Sequence, residues 1–272
     1  MKGCLILHGQ MRCYTECIPK MFENLLDIND IDIFISTEKT DKYNKILLDE
    51  DIIKINYKNK VKQISFMNNT IFNKYKNFLT NKLNILYDEK DDNRLSSINT
   101  FLEFHSKFLL NINQENTYKC DKNKNGYSYS ERELMIYIHI MNSFEMISTY
   151  DTYDYIILYR PDIYINSPLY IKNLDLTKDN LYYHNNYMMI FAYKNLYKFN
   201  SFDKKILTYS TDYTDDKIHK IWKLLVENQL SQFLLENFNV IWILSNLGHI
   251  RVDNNNIHQI CTQTIISFLN DC

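Results

Sequence analysis

Tyr153-Asp154-Tyr155-Ile156-Ile157-Leu158-Tyr159-Arg160-Pro161-Asp162-Ile163-Tyr164-Ile165 constrains this chain more than any other stretch. An apolar, aromatic and partly β-branched run of this length predicts a strand buried on both faces, as in a parallel sheet covered by helices. Pro161 ends it. Proline has no amide proton to give a sheet ladder, and it pushes the preceding Arg160 toward extended backbone. Arg160 and Asp162 are therefore expected at a strand's carboxyl end, the rim where open α/β sheets bind ligands. An Arg–Asp ion pair that merely closes a turn is the competing reading of the same residues.

The 272 residues suffice for one large α/β domain, or for one domain with an insertion. Only four glycines are present, which argues against a Gly-rich phosphate loop. Net charge is -2 with no basic block, so the clustered Lys and Arg that neutralise nucleic-acid phosphates are missing. The 22 tyrosines accompany an excess of Asn, Ile and Lys, a pattern of AT-rich coding rather than of carbohydrate stacking. Six cysteines form no Cys-x-x-Cys pair. Cys13, Cys17 and His8 could be drawn as a zinc site, but free thiols in a reducing compartment fit the spacing better. The apolar start Cys4-Leu5-Ile6-Leu7 is too short for a signal peptide, and no apolar stretch reaches membrane-spanning length. A soluble, cytoplasmic protein is expected.

In chain order, Cys4 to His8 predicts a strand, Gly9-Gln10-Met11-Arg12 a turn, Tyr14 to Leu26 a helix and Asp32 to Thr37 a second strand. Gly9 suits a tight bend or close backbone approach, and Arg12 falls near a helix start, where anions are favoured. A further strand is expected at Ile52 to Tyr57, and helices at Asn69 to Tyr87 and Leu95 to Ile112, so that 60–125 reads as a helical insertion. Ser130-Glu131-Arg132-Glu133 fits a capping box opening a helix to about Tyr150. His139 on that helix reads as a core or boundary histidine. Asn180 to His184 and Met188 to Tyr193 flank Asn185-Asn186 as a hairpin. Lys217 to Asn237, which contains Glu227, reads as a helix, Val240 to Leu244 as a buried strand, Gly248 to Asp253 as a short strand and the tail from Asn256 as a helix.

Two stretches together resemble a known family. His8-Gly9-Gln10-Met11-Arg12-Cys13-Tyr14, followed by Asp32-Ile33-Phe34-Ile35-Ser36-Thr37, resembles the opening of a group of sugar-nucleotide glycosyltransferases whose first strand ends in Gly-Gln-x-Arg. Ser130 to Ile165 is similar to the centre of that group, where a helix runs into a strand ending Arg-Pro-Asp in place of the Asp-x-Asp metal motif of related GT-A enzymes. Val226-Glu227-Asn228-Gln229-Leu230 is similar to a Glu-containing helix start in the same group.

The resemblance implies a single GT-A-like (Rossmann-like) α/β domain over 1–272, with a mixed, mostly parallel sheet flanked by helices. It implies transfer of a sugar from a nucleoside-diphosphate donor to a glycan or other hydroxyl acceptor, assisted by Mn or Mg. Asp162 would hold the cation, and Gly9, Gln10, Arg12 and Arg160 would bind the nucleotide or orient Asp162. Glu227 would serve as acceptor base. His249, Asp253 and His258 are candidates for one further metal ligand. Asp162 stands alone where related enzymes carry two carboxylates, which motivates a second reading as a non-catalytic nucleotide- or glycan-binding module. A sugar nucleotidyltransferase is a third.

Overall fold

The computed structural model describes residues 1–11, 14–41, 46–68, 70–75, 77–78, 132–150, 153–184, 187–203, 226–243, 247–253 and 256–261. The chain divides into two compact units. The first comprises Met1–Met67, His139–Leu196 and Asn237–Cys272, the second Asn68–Ile138 and Tyr197–Glu236.

The first unit is an α/β layer structure around a seven-stranded sheet. Its strands are β1 (Lys2–His8), β2 (Asp30–Thr37), β5 (Val61–Phe66), β6 (Tyr155–Tyr159), β8 (Asn180–His184), β9 (Met188–Ala192) and β10 (Asn239–Trp242), in the order β10-β8-β9-β6-β1-β2-β5. Four pairings are parallel (β1 with β2, β1 with β6, β2 with β5, β10 with β8) and the two made by β9 are antiparallel, so the sheet is mixed and mostly parallel. The run that ends at Pro161 supplies the middle strand, buried along its whole length.

Both faces of that strand are covered. On one, Leu5, Leu7, Ile33, Ile35, Ile157 and Tyr159 pack with Tyr14 and Met21 of α1 (Tyr14–Met21) and with Phe22, Leu25 and Leu26. The continuous helix expected over Tyr14 to Leu26 instead changes to a π turn at Phe22–Leu26, shortly after Pro19, whose missing amide leaves a gap in the helical ladder. Asn24 in that turn donates to the Ile165 carbonyl at 2.6 Å. On the opposite face lies the second half of α3 (Arg132–Ile147), where Phe144 meets Phe191 edge-on at 6.3 Å.

Gly3 stands opposite Tyr155 in the register of β1 and β6, and a Cβ there would overlap the buried Tyr155 ring. Gly3→Ala is therefore expected to destabilise the protein by about 1–3 kcal/mol through overpacking, measured as a lower urea midpoint. An unchanged midpoint would contradict it.

Several local expectations give way to tertiary context. The strand expected over Ile52 to Tyr57 is instead a helix, α2 (Glu50–Asn56), with Tyr57 as its C-cap. The Asp49 side chain caps it by accepting from the amides of Asp51 and Ile52 at 2.8 and 3.0 Å, and Glu50 pairs with Lys54 one turn on. Ile53 and Tyr57, four residues apart, are buried, while Ile52 and Ile55 are exposed. β10 is an edge strand rather than a buried one, with Ile241 and Trp242 about 40 % exposed (38 % and 42 %). The expected helical tail begins as a strand, β12 (Asn256–Cys261), because β11 (Leu247–Asp253) offers it an antiparallel ladder. β11 also pairs with β7 (Ile163–Ile165), giving a second sheet, β12-β11-β7. The β8–β9 hairpin forms as expected. A two-stranded ribbon joins β3 (Thr40–Asp41) to β4 (Ile46–Leu47).

The second unit has an aromatic core. Phe233, on α4 (Val226–Asn237), lies 5.3 Å from the Phe199 ring and 5.1 Å from that of Phe202, and Tyr137 bridges Phe202 to Tyr75. Most of the expected 60–125 insertion lies outside the described residues, as do the Ser130 cap and residues 217–225. Within the described part, β5 is a strand and residues 70–75 and 77–78 are helical. Among the described residues no helix is long and apolar enough to cross a membrane.

Candidate functional site

β1 and β6 are parallel neighbours with Leu7 opposite Tyr159, and β2 sets Ser36 opposite His8. The residues that follow each strand, Gly9, Glu38 and Arg160, therefore emerge on one carboxyl rim, where α/β sheets present their functional groups. Gly9 has φ +91°, a conformation that costs glycine little, and its amide donates to the Ser36 carbonyl at 3.0 Å. That bond makes Gly9 the pivot of a tight bend rather than an amide donor to an anion. Gln10 Nε2 donates to Glu38 Oε1 at 3.1 Å.

Arg160 forks onto Asp162. Its Nε is 3.0 Å from Oδ1 and its terminal nitrogen 2.6 Å from Oδ2, the two-bond geometry that a planar guanidinium favours. The Tyr159 hydroxyl donates to the Ile163 carbonyl at 2.9 Å across this turn. Asp162 is the buried half of the pair, with 4 % of its side chain exposed, and Arg160 the accessible half at 28 %. Tyr187, in the β8–β9 connection, accepts the Arg160 amide at 3.1 Å and sets its ring 5.1 Å from the guanidinium carbon. Both sequence readings of Arg160-Pro161-Asp162 hold at once: the residues stand on the rim, and their ion pair closes the turn.

Behind the rim, α3 is anchored by a buried polar network. Ser36 Oγ and His139 Nδ1 are 3.0 Å apart, and the Asn142 amide donates to Ser36 Oγ at 3.1 Å and to Ser65 Oγ at 2.9 Å. His139 is thus a buried, hydrogen-bonded histidine, the core alternative of the sequence reading. Beside it His8 is buried, and burial, reinforced by nearby His139 and Arg160, lowers its pKa to about 3. His8 is neutral at pH 7. In the unfolded chain it titrates near 6.5, so its contribution is complete above that pH and drains away as acid takes it toward about 3. His8→Gln is expected to flatten the stability profile between pH 7 and 5, read from urea midpoints. A variant that keeps the wild-type slope would contradict this assignment.

Gly9, Gln10, Arg160 and Asp162 thus share one rim. Arg12 and Cys13 lie outside the described residues, while Cys17 and Cys4 are buried and in no disulfide. Glu227 is the second residue of α4, in the second unit, and its side chain is outside the described set. His249 stands opposite Ile163, the residue after Asp162, and His258 stands opposite Arg251 in the β11–β12 ladder, to which Asp253 also belongs. For a divalent cation the described residues are not a fit by themselves. No group of three or more His, Cys, Asp or Glu among them is placed to hold one, and both Asp162 oxygens already accept from Arg160. In the sequence His139 reads as a core or boundary residue, but no role attaches to its network partners Ser36, Asn142 and Ser65. The one local signal was Ser36-Thr37, two hydroxyls closing an apolar strand.

No family model matches the chain, and no curated protein matches it.

Proposed function

We propose that this chain is a glycosyltransferase that moves a sugar from a nucleoside diphosphate to a hydroxyl acceptor. One observation carries the reading: two motifs about 150 residues apart, Gly9-Gln10 and Arg160-Pro161-Asp162, stand at the tips of adjacent parallel strands, with the guanidinium as the more accessible partner of a buried carboxylate. Departure of a nucleoside diphosphate breaks the bond from the sugar's anomeric carbon to phosphate oxygen and leaves negative charge on that oxygen. A guanidinium held rigid by its own carboxylate meets that charge without reorganising. Asp162 then acts as a positioning residue for Arg160. The acceptor hydroxyl forms the new bond to the anomeric carbon and gives its proton to a base. No step here passes through a metal; Mn or Mg enters as a variable of the test.

The protein is incubated with UDP- and GDP-sugars, with manganese and separately with a chelator, and nucleoside diphosphate release is followed. Release by the wild type, reduced at least tenfold in Asp162→Ala, is expected. Release that survives Asp162→Ala unchanged would remove the rim from the mechanism, and absence of both release and binding would end the proposal. A binding module without turnover is the second reading, favoured by the neutralisation of Asp162 by Arg160. Binding without release across the donor panel would establish it.

A further inference from the structure

We infer that His184 is a recognition residue of this same rim, accepting a hydrogen bond from an O–H or N–H of the bound nucleotide sugar; the inference rests on the function proposed above. His184 ends β8, which runs in the same direction as β6, so its ring lies on the rim that carries Arg160. Its Nδ1 lies 2.8 Å from the Ile243 carbonyl. A carbonyl can only accept, so Nδ1 carries the proton and, in the neutral ring, Nε2 presents a bare lone pair. That Nε2 is buried and has no hydrogen-bond partner among the described residues, although the residue is only 5 % exposed. Buried acceptors are paired in the great majority of cases, and leaving one unmade is costly. A ligand donor that completes the bond removes this cost.

The surroundings select the ligand chemistry. The His184 ring stacks on Tyr187 with centroids 6.3 Å apart, and Tyr187 in turn carries the Arg160 guanidinium over its ring. Cation, aromatic ring and imidazole nitrogen therefore follow one another along the rim, from β6 across β9 to β8. Two strand spacings are about 10 Å, the reach from a diphosphate on Arg160 to a hydroxyl of the attached sugar or ribose. A bare lone pair repels an anion, so Nε2 addresses the neutral, donor-rich part of the molecule and not its phosphates.

Two substitutions separate this role from a structural one. His184→Asn keeps a donor where Nδ1 bonds the Ile243 carbonyl and deletes Nε2, while His184→Gln reaches the Nε2 position. Affinities for UDP, GDP, UDP-glucose and GDP-mannose are measured by calorimetry, with the ¹⁵N resonance of His184 Nε2 followed during titration of the wild type. About a tenfold loss of affinity in His184→Asn, partial recovery in His184→Gln and a ligand-dependent Nε2 shift are expected. Loss confined to the sugar conjugates places the donor on the transferred sugar, and equal loss for UDP or GDP places it on the nucleoside. Wild-type binding that His184→Asn leaves intact, with a static Nε2 resonance, overturns the inference alone. Failure of the wild type to bind any of the four ligands overturns the proposed function and this inference with it.

Discussion

Arg160→Met is expected to lower stability by about 3–5 kcal/mol and to abolish donor binding. The loss follows from the asymmetry of the pair: Asp162 has 4 % of its side chain exposed and would forfeit both bonds that Arg160 donates to it, at 3.0 and 2.6 Å. A carboxylate stripped of such bonds in a low-dielectric setting is far more damaging than the original pair is helpful. The double variant Arg160→Met, Asp162→Leu should therefore regain most of the stability, since a buried ion pair exchanged for apolar groups is close to neutral. It should not regain binding. Urea midpoints of the two variants separate these effects, and a single variant as stable as the wild type would show that Arg160 is not what compensates the Asp162 carboxylate in solution.

Phe233→Ala is expected to cost about 3–5 kcal/mol in the second unit. Phe233 is 1 % exposed and packs against the rings of both Phe199 and Phe202 at 5.3 and 5.1 Å, so truncation removes both aromatic contacts and leaves a cavity. Limited proteolysis and urea unfolding should both register it. A midpoint change equivalent to less than about 1 kcal/mol would mean that the aromatic cluster is not packed in this way.

The parts of the fold legible in the sequence are those written locally. β6 announced itself through an apolar run closed by Pro161, and β1 and β2 through short apolar segments ending at polar turns. Their adjacency placed Gly9 and Arg160 together. α2 was misread because Ile52, Ile53 and Ile55 suggest β-branched strand chemistry, whereas the Asp49 cap and the Glu50–Lys54 pair decide for helix. β12 was misread for the opposite reason: only its ladder with β11, a tertiary fact, makes it a strand. The Ser36–His139 bond joins residues 103 positions apart, and no local pattern encodes it. The same holds for His184, whose meaning depends on which atom its Nδ1 finds in Ile243.

The proposed sugar transfer requires the tips of β1 and β6 to form one anion-binding rim. Calorimetric titration of the intact chain with UDP, GDP and their sugar conjugates tests this. Saturable binding of at least one ligand, lost in the refolded, stable double variant Arg160→Met, Asp162→Leu, is predicted. Equal binding by wild type and double variant, or none by the wild type, would contradict it.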